Sequence, residues 1–426
     1  MSSASQRGSA LPKVLALVVI AGLFVAYFIW RANHGITGRV DRLGFDTRGY
    51  VAFIQGMPGG KQDILLVNPA NGDEKRLTND GASKRGLQWG PLGNQIAYAA
   101  ESRAEAVTTF QIFVLGRGDP LQASYGSAAK ESPVWRPDGR VIAYLSGGAI
   151  KSMTPTGEGL PQIYPPPRRG GAAGGEDSVD EEDLVLRRPP IDAFDWAPDG
   201  RSIAARQVVE GEHAIALGQA NWWSAAPSGA GEPDRAMVSE PESALLIPLQ
   251  RGMRPRELLS ANQIGFGWFR DGTALVVAFS TRGGRSGLIV HRADDPNLPA
   301  RPILLADRFT MAPENPTVSP DGKLVAFEVV RLDSAENRER IGIAVTPADA
   351  ERPTIIRTPA DIQNLRFIVR GAARMPRWSP TGSRLLYQAP SGSGRDVLVV
   401  NADGTGKVNL TNGRGDNFAA AWAPGS

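Results

Sequence analysis

The sequence predicts an all-β fold: a seven-bladed β-propeller closed by its N- and C-terminal strands and preceded by one transmembrane helix. Three observations predict it. A hairpin signature recurs, most clearly as Trp135-Arg136-Pro137-Asp138-Gly139 followed by Val141-Ile142-Ala143-Tyr144, with further copies starting at Trp89, Trp196, Trp268, Val318 and Trp378. Its first half recurs at Trp422-Ala423-Pro424, and a matching second strand, Tyr50-Val51-Ala52-Phe53, stands near the other end of the sequence. Glycine and proline number 49 and 33 in 426 residues, which suits many tight turns better than long helices.

The first element is the helix. Residues 14–30 are apolar and uncharged, Leu11 and Pro12 extend the run, and Lys13 can snorkel to the headgroups. The stretch reaches the lower end of the length that spans a bilayer, with Tyr27 and Trp30 placed for the interface. The following residues, Trp30-Arg31-Ala32-Asn33-His34, offer no small-residue cleavage site, so an uncleaved anchor is expected instead of a signal peptide. The expected organisation is a short tail (1–10), the anchor (11–31), a linker (32–47) and the propeller (48–426).

Each repeat reads as four short strands. The first ends at the tryptophan. In the Pro-Asp-Gly turn, Pro presets φ, Asp caps the turn, and Gly takes the left-handed position that other residues resist. The pairs Asp138-Gly139, Asp199-Gly200, Asp271-Gly272 and Asp321-Gly322 mark these turns. Strand two is of the Ile-Ala-Tyr type, and strand three is an apolar run such as Ile64-Leu65-Leu66-Val67 or Val397-Leu398-Val399-Val400. Strand four is of the Lys75-Arg76-Leu77-Thr78 or Val408-Asn409-Leu410-Thr411 type. A sheet this small cannot bury both faces alone, and radial stacking lets each cover its neighbour. Trp89, Trp135, Trp196, Trp268, Trp378 and Trp422 are therefore expected to pack between sheets, not to stack on a ligand. The exchange of Trp for Val318 and of Pro for Arg270 fits a packing role.

At Pro133-Val134-Trp135-Arg136-Pro137-Asp138-Gly139, Pro376-Arg377-Trp378-Ser379-Pro380-Thr381-Gly382 and Asn401-Ala402-Asp403-Gly404-Thr405 before Leu410-Thr411, the chain resembles the TolB-like propellers built from WD40-like Pro-Asp repeats. The resemblance covers about residues 48–426. That family includes periplasmic TolB proteins, which bind protein partners, and the propeller domains of prolyl-oligopeptidase-like peptidases. The chain departs from TolB in counting seven blades where TolB has six, in lacking TolB's separate α/β domain, and in its anchor. The resemblance implies a propeller outside the cytoplasm, and a short tail before a single anchor points the same way. The basic residues Arg31, Arg39, Arg42 and Arg48 after the anchor, against Arg7 and Lys13 before it, lean toward the cytoplasm. The outside is the expected location.

Alternation of strand direction puts the strand one–two and three–four turns on one face, here the turn face. The two–three loops and the crossovers between blades fall on the other, the crossover face. Residues 102–108, 210–242, 281–285 and 332–340 read as two–three loops, and 165–190 and 359–374 as crossovers, which predicts one elaborated face carrying the partner site; if Ala214-Ile215-Ala216-Leu217 is strand three instead of Ala244-Leu245-Leu246-Ile247, the 210–242 insertion changes faces. Two insertions hold candidate partner-binding residues. One is the acidic run Glu176, Asp177, Asp180, Glu181, Glu182 and Asp183, flanked by arginines, a solvated loop or a docking tail for a basic partner. It lacks the glycine and spacing of a calcium loop. The other is Trp222-Trp223, which either packs its insertion onto the propeller or anchors a partner.

Chemistry has few candidates. The net charge of +3 argues against a nucleic-acid partner, and the absence of cysteine excludes thiol catalysis, thiolate metal sites and disulfides. His34, His213 and His291 are scattered, so no metal and no cofactor is expected. There is no Gly-x-Ser-x-Gly elbow and no phosphate-binding Gly-x-x-x-x-Gly-Lys, and no room for a hydrolase domain follows Trp422. No catalytic residue is assigned. The expected function is a membrane-anchored protein-binding or scaffolding module of the cell envelope. The alternative is a small-molecule- or glycan-acting propeller enzyme, of lyase or lactonase type, using the central channel.

Overall fold

The computed structural model describes residues 40–104, 107–164, 190–209, 212–219, 245–246, 261–281, 284–295, 298, 300–307, 309–332 and 338–425. The chain divides into two units, Met1–Asp41 and Arg42–Ser426, and every described strand belongs to the second. The segment predicted to cross the membrane, 11–31, lies outside the described residues; among those described, no helix is long and apolar enough to span a bilayer.

The described residues form seven sheets, antiparallel but for one parallel strand added at the outer edge of sheet five, and in all but sheet one the strands follow chain order from one edge to the other. Sheet one joins Asp416–Trp422 to Val51–Gly56, Gln62–Val67 and Glu74–Arg76. Sheet two holds Lys84–Trp89, Ile96–Ala104, Val107–Leu115 and Leu121–Gln122; sheet three holds Glu131–Trp135, Ile142–Ser146, Ala149–Met153 and Gly159–Tyr164. Sheet four holds Ile191–Trp196, Ser202–Val209, Glu212–Gln219 and Leu245–Leu246; sheet five holds Ala261–Trp268, Ala274–Thr281, Arg285–Arg292 and Arg301–Asp307. Sheet six holds Ala312–Val318, Leu324–Leu332, Arg338–Pro347 and Arg366–Arg370; sheet seven holds Arg374–Trp378, Arg384–Ser391, Gly394–Asn401 and Val408–Asn409. Sheet one is the split one. Val51 pairs with Trp422 and Ala52 with Ala421, so the last strand supplies the edge that the first lacks.

Each sheet touches the next, and the seventh touches the first. Two repeated contacts show how the ring closes. A Cβ built on Gly139 would lie 3.3 Å from Pro91, one on Gly382 3.3 Å from Pro320, one on Gly425 2.9 Å from Pro380 and one on Gly93 3.7 Å from Pro424. In sheets two, three, four and seven the turn glycine thus abuts the turn proline of the preceding sheet, while Gly272 meets Asp199 and Gly322 meets Phe269. Gly139 is also held at φ 71°, where a side chain is strained. The indoles make the second contact. Trp89 donates to the Ala421 carbonyl (3.3 Å), Trp378 to that of Thr317 (3.2 Å) and Trp422 to that of Arg377 (3.2 Å). Each acceptor lies one residue before the matching position of the preceding sheet. Trp89, Trp135, Trp196 and Trp378 are buried, while Trp268 and Trp422 are partly buried against the cores of sheets five and seven.

The Leu-Thr ending of strand four also has a structural cause. Leu77 and Leu410 are buried, and the hydroxyls of Thr78 and Thr411 accept the N–H of Ile64 (2.9 Å) and Val397 (3.1 Å). The same hydroxyls donate to the buried carboxylates of Asp63 (3.1 Å) and Asp396 (2.7 Å). A backbone donor and a carboxylate that would otherwise be desolvated alone are satisfied together. In sheet two Ser124 and Gln111 make the neutral version.

Two expectations are corrected. Residues 210–242 do not form a two–three loop: Glu212–Gln219 is strand three of sheet four, paired from Val209↔Glu212 onward, and Leu245–Leu246 is strand four, so the insertion falls in sequence between strands three and four. A tight hairpin closes at far less entropic cost than a loop of that length. Likewise 359–374 is not only a crossover. It contains strand four of sheet six, Arg366–Arg370, which buries Ile368 and Val369 against sheet seven. The residues before it lie between strands three and four, and Thr354–Ile356 among them runs parallel to the outer strand of sheet five. Elaboration therefore falls on both faces, not one.

Candidate functional site

The first strands are the inner edges of the ring, and all seven carry an irregularity in their pairing to strand two. In five of them the shift falls between the fourth and the first residue before the tryptophan position, for example Glu131/Val134, Glu314/Thr317 and Arg374/Arg377. The residue in the bulge adopts positive φ: Gly86, Ser132, Asn315, Met375 and Ala419 lie between 46° and 61°. Such bulges bend a strand and re-aim its side chains. Pro133, Pro316 and Pro376 follow three of these residues. A proline has no N–H to lose from the ladder, so the sequence x-Pro-x-Trp suits this geometry.

The residues just before the tryptophan position are Gln88, Val134, Asp195, Gly267, Thr317, Arg377 and Ala421. Only Asp195 and Arg377 are charged. Both are water-accessible, although Phe194, Trp196, Pro376 and Trp378 beside them are buried. An accessible side chain on the inner edge of a closed ring faces the axial channel. The electrostatics agree. Asp195 in sheet four and Arg377 in sheet seven are three sheets apart in the ring, yet each feels the other's charge. Surrounding protein pushes the Asp195 carboxyl up to about 6, opposed by Arg377 and by the Trp196 N–H. The same desolvation lowers Arg377, opposed by Asp195 and Glu328. Both side chains are exposed, yet each has enough protein around it to be shifted toward its neutral form. Neither takes part in an ion pair among the described residues.

Toward the crossover face the channel mouth is charged and cross-linked. Arg85 pairs with Glu131 (2.7 Å) and lies over the Phe110 ring (3.5 Å), and Asp192 pairs with Arg206 (2.8 Å). Glu314 pairs with Arg338 and Arg340. Glu328 is fully buried and accepts from Asn315 Nδ2 (2.6 Å), the Met375 N–H (2.8 Å) and Arg340 Nε (2.8 Å). One carboxylate thus ties the bulges of sheets six and seven together. Beside it burial, and then Arg395 and Arg340, hold Arg374 below the usual guanidinium range. Exposed apolar side chains share this face: Tyr125 (69%) and Phe309 (53%) in crossovers, Val107 (48%) beside a hairpin tip, and Met375 (38%) in a bulge.

The predicted partner-binding residues Glu176, Asp177, Asp180, Glu181, Glu182, Asp183, Trp222 and Trp223 all lie outside the described residues. Among those described, no three histidine or carboxylate side chains stand close enough to hold a metal ion. His291 is buried in strand three of sheet five with neither ring nitrogen hydrogen-bonded, and burial lowers it to about 4.

No family model matches the sequence, and no curated protein matches it significantly. Solved structures do. The chain is similar to the β-propeller domain of the Trilobed protease from Pyrococcus furiosus, at 11% identity over 86% of this chain and 96% of that one, with a TM-score of 0.51. That domain is described as having an open velcro topology, whereas here the terminal strands pair. The chain is also similar to a protein described as a candidate 6-phosphogluconolactonase from Bacteroides uniformis, at 15% identity over 88% of this chain and 99% of that one, TM-score 0.50. TolB from Acinetobacter baumannii matches at 16% identity over 95% of this chain and 72% of that one, TM-score 0.46. At these identities the first two show the fold alone, and the fold is a β-propeller.

Proposed function

We propose that this chain is a seven-bladed propeller that binds a protein partner in the cell envelope through its crossover face, with residues 11–31 as its membrane anchor and the propeller outside the cytoplasm. What supports the reading is the pairing of exposed apolar side chains, Tyr125, Phe309, Val107 and Met375, with a charged, ion-paired mouth on one face; Leu92, Leu121, Leu298 and Val408 are exposed at the turn face too, so the charged mouth is what distinguishes the crossover face. Large apolar side chains held by a stiff scaffold and rimmed by charge are the usual anchors of a protein interface. The channel-enzyme alternative gains no comparable support, since no carboxylate–imidazole group converges among the described residues.

The test compares the two faces. Full-length chain is expressed with Tyr125→Asp and Phe309→Asp together, or with Leu92→Asp in a turn of the opposite face, where Leu92 is 81% exposed. Chemical cross-linking in intact cells followed by mass spectrometry then identifies partners. A partner captured by the wild type and by Leu92→Asp, but lost from the double variant, supports the reading. Equal capture by both variants removes the crossover face from consideration.

A further inference from the structure

We infer that the turn face of sheet two docks on the surface of the bilayer, with Leu92 entering the boundary between headgroups and acyl chains. This contact rests on the reading of residues 11–31 as a membrane anchor, and it names the face that the anchor holds to the lipid. The repeat has an exception at this place. In the five other complete copies of the hairpin signature, the residue after the proline position is Asp138, Asp199, Asp271, Asp321 or Thr381. Each accepts the N–H two residues on, at 2.9 to 3.5 Å, and so caps its turn. Sheet two has Leu92 there instead. The leucine forgoes the cap, and it is 81% exposed. A side chain this exposed adds nothing to the packing of the ring, so the lost cap has no compensation within the fold.

The chain also enters the ring at this place. Arg42 pairs with Asp119, and the Leu43 N–H donates to the Gly116 carbonyl (3.2 Å), both in the turn between strands three and four of sheet two. Thr47 Oγ1 donates to the Gly93 carbonyl (2.7 Å), in the Leu92 turn itself. Leu43 and Thr47 are buried, so the entry is fixed. Residues 32–41 link Arg42 to the predicted anchor and span at most roughly 33–36 Å when fully extended. Strand two of sheet two, nine residues long, already covers about 30 Å between the two faces. Turning the crossover face to the bilayer would consume nearly all of that reach, whereas the turn face meets the bilayer with slack. The surroundings of Leu92 suit lipid. Leu121 (45% exposed) follows the neighbouring turn, and Arg117 and Arg140 are exposed in the turns nearby. The carboxylates of Asp46, Asp119 and Asp138 are each paired with an arginine. Leucine flanked by arginine matches the passage from acyl chains to phosphates. The crossover face then points away from the bilayer, open to its partner.

The chain has no cysteine, so a single one can carry a probe. Asn94→Cys, exposed in the Leu92 turn, and Tyr125→Cys, on the crossover face, are each labelled with an environment-sensitive fluorophore. The full-length chain is reconstituted into phosphatidylcholine–phosphatidylglycerol vesicles with and without nitroxide-labelled lipid. The label at 94 is expected to be quenched by the nitroxide and to shift its emission to shorter wavelength, and the label at 125 to do neither. Leu92→Asp added to the Asn94→Cys chain is expected to abolish both changes. A chain that stays with the vesicles in alkaline carbonate, yet shows no quenching at 94 or equal quenching at 94 and 125, keeps its anchor and overturns the docking. A chain extracted by carbonate has no anchor, and the contact falls with that reading. Quenching unchanged by Leu92→Asp would also overturn the proposal. So would an emission shift at 94 that appears in detergent and grows with protein concentration, which would assign Leu92 to a second copy of the chain. Should the Leu92→Asp chain fail to fold, the comparison of 94 with 125 decides alone.

Discussion

The two ends of the seven inner strands obey different rules. At the turn end two contacts recur: a turn glycine against the preceding turn proline in sheets two, three, four and seven, and an indole N–H on the preceding carbonyl for Trp89, Trp378 and Trp422. At the crossover end each strand is bulged and the side chains are of mixed charge, with Arg85, Glu131, Asp192, Glu314, Arg374 and Phe418 at matching positions. The first end uses geometry that tolerates little change. The second sits beyond the bulge, where the ladder is already interrupted, so its side chains vary without disturbing the sheet. One strand thus carries both the repeated packing and the individual chemistry, divided by a single irregular residue.

The largest expected effect breaks the repeated end. Trp135→Ala removes a buried indole between sheets two and three and should cost about 3–5 kcal/mol, read as a lowered urea midpoint. A loss below about 1 kcal/mol would show that the indoles do not hold the ring together.

Titration separates a core histidine from a channel carboxylate. His291 falls from 6.5 to about 4 on folding, so the unfolded chain binds its proton first. Its contribution is complete above about pH 6.5 and is lost as pH falls toward 4, by up to about 3 kcal/mol. His291→Leu should flatten that acid limb in denaturation curves. Asp195 works in the opposite direction. Its pKa rises from 3.8 to about 6 on folding, so the ionised group lowers stability as pH climbs through that window. Asp195→Asn should therefore raise the unfolding midpoint at pH 7 and leave it unchanged near pH 3. A midpoint that falls at pH 7 would show that Asp195 is not desolvated in the channel.

Gly139→Ala tests the turn contact. A φ of 71° and the approach to Pro91 together should cost about 1–2 kcal/mol by thermal denaturation. The smallest effect belongs to the crossover mouth. Arg85→Ala breaks an exposed pair with Glu131 and should cost less than about 1 kcal/mol, shrinking further in high salt. A loss as large as that of Trp135→Ala would erase the distinction between the two ends.

The sequence showed the repeated end plainly, because a tryptophan, a turn and an alternating strand are local patterns. The pairing of Val51 with Trp422 was legible for the same reason: half a signature at each end points to a shared sheet. The elaborated segments were legible only where the flanking strands were unambiguous. Ala214-Ile215-Ala216-Leu217 alternates no more convincingly than Ala244-Leu245-Leu246-Ile247, and only the pairing with Ser202–Val209 chooses between them. The channel pair was not legible. Asp195 and Arg377 each precede a tryptophan, and nothing in a linear pattern says that strands three sheets apart face one another. The bulges left a trace in Pro133, Pro316 and Pro376, which becomes readable once the inner edge of each sheet is known.

The split sheet also orders events in the cell. A strand made early, Val51–Gly56, must wait for a much later one, Asp416–Trp422, before its open edge is covered. Until then the growing chain carries an apolar strand, Val51-Ala52-Phe53-Ile54, short of its final neighbour. Without Asp416–Trp422 the edge of Val51–Gly56 would stand open, and an unpaired strand edge invites self-association.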